Sequence, residues 1–190
     1  MGIFYTGKGD KGKSIIGNRK IDKICLEISV LGDLDELNCL LGAVRHEKLV
    51  PLHEKIIREV QENLFIIQAN VAGATLFCGK QVVRLHSPQE VPDFPAGKIT
   101  EIEKIIDGLE REIKPAKKFV IPGETRESAW LDVARAASRR VEREVLKVHK
   151  KYPLPPAIPA YLNRLSSLLF ALARAEAKRV GKKERHPGYK

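Results

Sequence analysis

One segment, residues 119–144, limits what this chain can fold into more than any other. It opens with an apolar run that stops at a Pro-Gly pair, and Thr125 then suits the N-cap of a helix that continues to about Lys150. Apolar side chains recur along this helix at helical spacing. They predict a core-facing stripe of Trp130, Ala134, Ala137, Val141, Val145 and Val148. A long helix with one apolar face needs other helices to cover that face.

A second stripe on the same helix is basic. Positions i, i+4, i+7 and i+8 share one helical face, and here they hold Arg135, Arg139, Glu142 and Arg143. Arginine keeps its proton, and its planar guanidinium matches phosphate oxygens. The stripe fits a polyanion-binding site, but it fits an ordinary solvated face equally well, and the helix alone does not separate the two.

Composition narrows the fold class and the partners. Hydrophobic residues make up 43% of the chain and aromatic residues only 6%, which suits alanine- and leucine-rich helix packing. A net charge of +10 predicts an anionic partner, and nucleic acid, anionic lipid and nucleotide all qualify. Cys25, Cys39 and Cys78 form no CxxC pair and indicate reduced thiols in a cytoplasmic protein. Since no apolar run suits a signal peptide or a membrane span, no membrane association is expected.

Apolar periodicity predicts four further helices, and no strand pattern of any length is visible. Their approximate bounds are 33–48, 52–78, 96–114 and 159–180. The proline-rich stretch 80–95 is expected to be a long loop. His53 has no metal-ligand spacing to another histidine and is predicted to be a surface imidazole.

These elements predict an all-α protein, a five-helix up-down bundle. The bundle domain is expected to span 25–181, after a flexible basic N-terminal loop of residues 1–24 and before a basic tail of residues 182–190. The first helix of the bundle carries a capping box, with Asp33 as N-cap and Glu36 three residues later. Asp35 is an additional acid that this cap does not need.

The N-terminal segment TGKGDKGKS, Thr6–Ser14, formally matches the phosphate-binding pattern G-x-x-x-x-G-K-S/T. A P-loop needs a helix directly after this pattern, whereas β-branched and turn-forming residues follow here, so a P-loop fold is not expected. The glycines still let backbone N–H groups approach an anion, and the lysines add charge. A disordered basic tail is the alternative interpretation.

Four segments in order and at matching spacing resemble one known family. They are TGKGDKGKS, LGDLDELN, FVIPGETRESAWLDVARAASRRVER and YLNRLSSLLFALAR, and together they reach from about Thr6 to Arg174. They resemble motifs of the PduO-type ATP:cob(I)alamin adenosyltransferases, among them T-R/K-x-G-D-x-G, G-x-x-D-E-L-N, F-x-x-P-G-G-T with A-R-x-x-x-R-R-x-E-R, and Y-L-N-R-L-S-D-L-L-F.

The resemblance implies a bundle of left-handed twist that assembles as a homotrimer, with active sites between neighbouring subunits. Its reaction transfers the 5′-deoxyadenosyl group of ATP to Co(I) of reduced cobalamin and releases triphosphate. Because Co(I) is itself the nucleophile, the protein needs no nucleophilic side chain. ATP and cobalamin are then substrates, and Mg²⁺ binds mainly through the ATP phosphates. A flavoprotein electron donor or a cobalamin-dependent mutase is expected as a further partner.

The resemblance also implies roles for individual residues. The ATP-binding set is Thr6, Gly7, Lys8, Gly9, Asp10, Gly12, Ser14, Lys23, Arg139, Arg140, Glu142, Arg143 and Asn163. Arg139 is expected to act in catalysis on the triphosphate. Arg135 is expected to pair with Asp35 of the adjacent subunit. Phe119 is expected to pack against the corrin face, exclude the lower axial ligand, and so make the cobalt easier to reduce.

Four positions depart from the family pattern. Gly7 stands where Arg or Lys is usual, and Ser167 replaces the aspartate of L-S-D. Glu124 replaces the second glycine of P-G-G-T, and Asp132 stands where histidine is usual. Glu124 and Asp132 add negative charge near a polyanion site and therefore predict weaker nucleotide binding. Two alternatives stay open: a non-catalytic ATP-binding relative of the same fold, and a basic helical nucleic-acid-binding protein, which the low aromatic content disfavours.

Overall fold

Five helices and one short hairpin make up the computed structural model, which describes residues 4–16, 19–75, 91–115 and 117–189. The hairpin pairs strand β1, Lys13–Ile16, with strand β2, Arg19–Asp22. The helices are α1 (Leu26–Arg45), α2 (Pro51–Thr75), α3 (Gly97–Ile113), α4 (Arg126–Lys151) and α5 (Ala157–Arg179). Helix α4 packs on α1 and α5, α1 on α2, and α3 on α5. The predicted five-helix bundle is confirmed.

Helix α4 follows its prediction closely. The Thr125 hydroxyl accepts a hydrogen bond from the Ser128 N–H at 3.1 Å, and the Ser128 hydroxyl accepts one from the Thr125 N–H at 2.9 Å, which completes the cap. The core stripe is confirmed except at its start. Trp130 is 36% exposed, and the neighbouring Leu131 is fully buried instead. The stripe repeats at spacings of three and four residues from Leu131 onwards, so Trp130 lies one position off it.

The predicted start of α1 at Asp33 was wrong. The helix begins at Leu26, after Cys25, which makes no side-chain capping bond. Its apolar stripe includes Val30, a full turn before Asp33, and burial of that stripe carries the helix through Gly32. A glycine inside a helix costs about 1 kcal/mol relative to alanine, which the buried apolar side chains offset. Asp33 and Glu36 therefore lie inside the helix and cap nothing.

The N-terminal region contains regular structure that the sequence did not indicate. Lys13 pairs with Asp22 across the hairpin, through the backbone register and an ion pair of 2.6 Å between Nζ and Oδ1. A strand that begins at Lys13, within the glycine-rich motif, thus takes the place of the helix that a P-loop needs, as expected for a chain without a P-loop fold. The predicted end of α2 at Gly79 and most of the predicted loop 80–95 lie outside the described residues. Across the described ranges, no helix is long and apolar enough to cross a membrane.

The C-terminal end of α5 is tied to the start of α2 by a buried carboxylate. Glu176 accepts hydrogen bonds from the Val50 N–H at 2.9 Å and from Arg179 Nε at 2.8 Å, and its Oε1 lies 2.7 Å from His53 Nδ1. His53 is buried, so its prediction as a surface imidazole was wrong. Burial alone would raise the pKa of Glu176, but these hydrogen bonds outweigh burial and lower the pKa below its usual range.

Acid should therefore weaken the fold through Glu176. The pKa of an unfolded glutamate is about 4.3, and a group whose folded pKa is lower stabilises the fold above that pH and loses its contribution as pH falls through the folded pKa. We expect Glu176→Gln to flatten the decline of the unfolding free energy below about pH 4.5, measured by urea denaturation at several pH values. The exposed Glu62→Gln on α2 is the control and should leave the slope unchanged. An unchanged slope in Glu176→Gln would refute the assignment.

Candidate active site

The basic face of α4 lies beside the first turns of α5. Asn163 of α5 donates a hydrogen bond from Nδ2 to Glu142 Oε1 at 2.8 Å, so two residues of the predicted ATP-binding set are in direct contact. Asn163 Oδ1 accepts from Arg164 at 2.8 Å, and Arg164 in turn donates to Glu103 of α3 at 3.0 Å. These bonds fix the orientation of the Asn163 amide. Arg139 and Arg143 are exposed on the same face of α4.

Arg140 does not share this face. Its guanidinium pairs with Glu36 of α1, and its Nε lies 3.6 Å from Asp33 Oδ1. The hydrogen bond with Glu36 raises the pKa of Arg140 further. The two acids that were predicted to cap α1 thus hold α4 against α1. Asp35, between them in sequence, is exposed and forms no ion pair with any residue in the described ranges.

A cavity of about 440 Å³ opens between α3, α4 and α5 next to the basic face. Its lining combines arginine and serine side chains and one carboxylate, Glu110, with apolar side chains. The polar lining includes Arg135, Arg139, Ser166, Ser167 and Arg174. The size and the mixed lining suit a ligand that carries both anionic and apolar parts.

A buried ion pair borders this cavity through Arg174. Arg174 is only 2% exposed and donates from Nη2 to Asp132 Oδ2 at 2.6 Å, while Asp132 Oδ1 lies 3.5 Å from Arg135 Nε. Both guanidiniums lie over the ring of Phe170, at 4.9 Å for Arg174 and 5.9 Å for Arg135. Sequence reasoning missed Arg174 and Phe170. The signal was an arginine at a core position of the apolar run in α5 and an aspartate beside the core stripe of α4.

The segment before α4 is held by the C-terminal tail. The Ile121 N–H donates to the Arg185 carbonyl at 2.8 Å, and His186 Nδ1 lies 2.8 Å from the Phe119 carbonyl oxygen. Arg185 also donates to Glu124 at 2.7 Å, and this hydrogen bond lowers the pKa of Glu124. The Phe119 side chain itself is 78% exposed. The described part of the predicted flexible tail is therefore packed against the segment that carries Phe119.

The glycine-rich N-terminal segment forms a series of turns. Backbone hydrogen bonds join the Asp10 N–H to the Gly7 carbonyl at 3.3 Å and the Gly12 N–H to the Gly9 carbonyl at 3.1 Å. Gly7 and Gly12 adopt positive φ angles of 65° and 71°, which favour glycine over other residues. A Cβ atom on Gly9 would lie 2.8 Å from Lys23 Nζ, so Lys23 and the turn are adjacent, as their shared ATP-binding prediction requires.

The comparisons with known proteins identify the family. The model of the family described as cobalamin adenosyltransferase matches residues 4–176. The chain belongs to that family. A corrinoid adenosyltransferase of Citrobacter freundii is 32% identical over 90% of this chain and 93% of its own length. One of Bacillus subtilis is 32% identical over 93% of this chain and 88% of its own length. The PduO protein of Citrobacter freundii is 28% identical, and the match spans 49% of its length.

Solved structures agree with this assignment. A variant of the PduO-type ATP:corrinoid adenosyltransferase of Lactobacillus reuteri, complexed with cobalamin and ATP, superposes with a TM-score of 0.84 at 25% identity. The superposition covers 97% of this chain and 99% of that chain. The family predicted from the four motifs is therefore confirmed.

Two departures from the cobalamin adenosyltransferase pattern have a physical explanation. Asp132 is neutralised by buried Arg174, and Glu124 is neutralised by Arg185 of the tail. Neither carboxylate therefore opposes an anion on the basic face of α4 as a free charge would. The expectation of weakened nucleotide binding did not include these two partners, and it stays a prediction. The structure offers no explanation for Gly7 and Ser167.

The buried pair should matter far more to stability than a surface pair of the same helix. Asp132→Asn removes the hydrogen-bonded partner of buried Arg174 and leaves it only Glu184, whose Oε1 lies 3.4 Å from Arg174 Nε. Loss of one partner of a buried ion pair costs about 3–5 kcal/mol. The matched control is Glu144→Gln, which breaks an ion pair with exposed Lys147 and should cost less than about 1 kcal/mol. Unfolding free energies from urea denaturation compare the two variants. Similar losses would show that the Asp132–Arg174 pair is not effectively buried.

Proposed function

We infer that the protein is an ATP:corrinoid adenosyltransferase, which transfers the 5′-deoxyadenosyl group of ATP to Co(I) of a reduced corrinoid and releases triphosphate. The family match over residues 4–176 is the observation that carries this conclusion. In the reaction, the cobalt electron pair forms a bond to C5′ while the C5′–O5′ bond breaks, so the leaving group is a polyanion. The task of the protein is then to position ATP and to neutralise that charge.

The geometry of the basic face supports this division of work. Arg139 and Arg143 are exposed and make no ion pair with any described residue, so they can bind the triphosphate oxygens. The Glu142–Asn163 contact fixes two polar groups beside them. We assign ATP binding to these four residues and to the N-terminal turn with Lys8, Lys23 and the flanking Thr6 and Ser14. Arg140 contributes by holding α4 on α1.

Phe119 is assigned to the corrinoid. Its ring is exposed in a segment held by backbone bonds to the tail, which leaves an apolar surface free to pack on a planar macrocycle. Packing there would keep a ligand from the lower face of the cobalt. A four-coordinate Co(II) is easier to reduce because the axial donor that stabilises it is missing.

The assembly that suits these residues is a homotrimer with sites between subunits. Trp130 is 36% exposed and Val133 is 48% exposed, so α4 presents apolar side chains on its outer side. Asp35 is an exposed acid without an ion-pair partner among the described residues, and Arg135 borders the cavity. A contact from Asp35 of one subunit to Arg135 of the next would join these features. The same proposal includes a flavoprotein as reductant or a cobalamin-dependent mutase as recipient of the product. It also includes a cytoplasmic location, with which the free thiols of Cys25 and Cys39 are consistent.

A direct assay tests the proposed reaction. ATP, Mg²⁺ and chemically reduced cobalamin should give adenosylcobalamin, followed by its absorption spectrum, with one triphosphate released per turnover. Binding of ATP without any adenosylcobalamin would instead favour a non-catalytic relative of the family. Salt-dependent binding of random DNA in the absence of ATP binding would favour the nucleic-acid alternative.

Arg139 provides the sharpest test of the site. Arg139→Ala should reduce kcat by at least about 100-fold with the bundle still folded, because a charge that stabilises the leaving group is removed. Arg139→Lys should also be damaging if two N–H groups contact the phosphate together. The control is Arg126→Ala, which removes an exposed arginine bound to Glu47 and should leave kcat unchanged. Full activity of Arg139→Ala would remove it from the site.

Asp35 and Arg135 should behave as a coupled pair. Either single change to the opposite charge places like charges together and should weaken assembly and catalysis. The exchange Asp35→Arg with Arg135→Asp should recover more than either single change, since it restores an attractive pair. Activity and trimer content by sedimentation are measured for all four proteins. Strictly additive effects, or a fully active monomer, would show that the two residues are not partners.

A further inference from the structure

We propose that Asp132 and Arg174 are positioning residues, a buried ionic support that fixes the guanidinium of Arg135 at the edge of the active site. This inference rests on the proposed function only for the role of Arg135. Neither Asp132 nor Arg174 belongs to the predicted ATP-binding or corrinoid-binding set. The inference is based on a series of ion-pair contacts that runs from Glu184 of the tail to Arg174 of α5, then to Asp132 and Arg135 of α4.

Asp132 and Arg174 place two full charges inside the bundle. Asp132 is 6% exposed and Arg174 is 2% exposed. Taking both charges out of water consumes much of what their attraction supplies, and apolar side chains of similar volume often stabilise a core as well. Such a pair therefore needs a reason other than stability. The best-attested reason is that directional polar contacts specify one geometry.

Asp132 lies between two arginines, Arg174 and Arg135. One carboxylate oxygen accepts from Arg174 at 2.6 Å, and the other lies 3.5 Å from Arg135 Nε. Both guanidiniums lie over the ring of Phe170, at 4.9 Å from its centroid for Arg174 and 5.9 Å for Arg135. Two cations on one ring would repel each other, and the carboxylate between them offsets that repulsion. Asp132 thus determines where Arg135 can lie.

The C-terminal tail forms the outer end of this series of contacts. Glu184 of the tail places its Oε1 3.4 Å from Arg174 Nε, so Arg174 has a carboxylate on each side. On the other end, Arg135 lines the cavity, and no described residue accepts a hydrogen bond from its Nη groups. Arg135 Nε is buried beside Asp132 at ion-pair distance without a hydrogen bond, so the support is electrostatic. Its Nη groups are left for a carboxylate from outside the chain, the role proposed for Asp35 of a neighbouring subunit.

The test is a double-mutant cycle between Asp132 and Arg135 with two measurements for each protein. If Asp132 acts through Arg135, Asp132→Asn should lower kcat by at least about tenfold in the wild-type background but by less than about twofold when Arg135 is already alanine. The loss of Tm caused by Asp132→Asn should be similar in both backgrounds, because buried Arg174 loses the same hydrogen-bonded carboxylate in both. Equal loss of kcat in the two backgrounds would overturn the proposal and leave a purely structural pair.

A second variant covers the case in which Asp132→Asn fails to fold. Asp132→Asn combined with Arg174→Met removes both buried charges and should fold, yet its kcat should remain low because Arg135 has lost its support. Wild-type kcat in this double variant would contradict the proposal. The ¹⁵N–¹H signal of Arg135 Nε, identified by its loss in Arg135→Lys, adds a readout that needs no turnover. It should exchange slowly with solvent in the wild type and rapidly in the double variant.

These two readouts separate the inference from the proposed function. Absence of turnover in the wild type with a slowly exchanging Nε proton would reject the activity but keep the positioning role. Turnover in the wild type with equally fast exchange in both proteins would keep the activity and reject the positioning role.

Discussion

The structure depends on a boundary along α4, where an apolar stripe in the core meets a row of arginines at its edge. The stripe must be buried to hold α1 and α5, so the arginines are held close to a medium that penalises charge. The four arginines at this boundary have three kinds of environment. Arg140 is neutralised by α1, Arg135 lies beside Asp132, and Arg139 and Arg143 stay exposed. The exposed cations are those that the proposed reaction requires.

The buried Asp132–Arg174 pair favours one arrangement of the side chains at that boundary. A lone Arg174 or a lone Asp132 in the core would be strongly destabilising, so each constrains the other. Their contact also connects α5 to α4 next to the cavity. The C-terminal tail contacts Arg174 through Glu184, and it contacts the segment that carries Phe119 through Arg185 and His186. The tail and the basic face thus form one connected structure, although 182–190 was expected to be a separate flexible element.

Features that depend on contacts between residues close in sequence were predicted well. The cap at Thr125 involves residues three apart, and the helix bounds of α3 and α5 follow from periodicity and proline. The start of α1 was missed because Asp33 and Glu36 imitate a cap at the correct spacing, while the actual use of both acids is a tertiary contact to Arg140. Propensity at the sequence level cannot reveal a partner more than 100 residues away.

The same distinction applies to the site. Family motifs placed Glu142 and Asn163 in one set, and the structure brings them together. Those motifs did not indicate Arg174 or its contact with Asp132, because 42 residues separate the partners and neither pattern position suggests an ion pair. The structure therefore reveals mainly which side chains position the predicted site residues, and few new residues that would contact the ligand.

The central claim is that one subunit supplies the arginine face and its neighbour supplies Asp35, and subunit mixing tests it most directly. Arg139→Ala chains and Asp35→Arg chains, each inactive alone, are unfolded together, refolded at equal amounts and assayed for adenosylcobalamin. If sites form between subunits, random mixing combines an intact Asp35 with an intact Arg139 at about one quarter of the sites, and activity should rise towards about one quarter of the wild-type value. If both residues of a site come from the same chain, no intact site can form, and a mixture as inactive as its components would contradict the account.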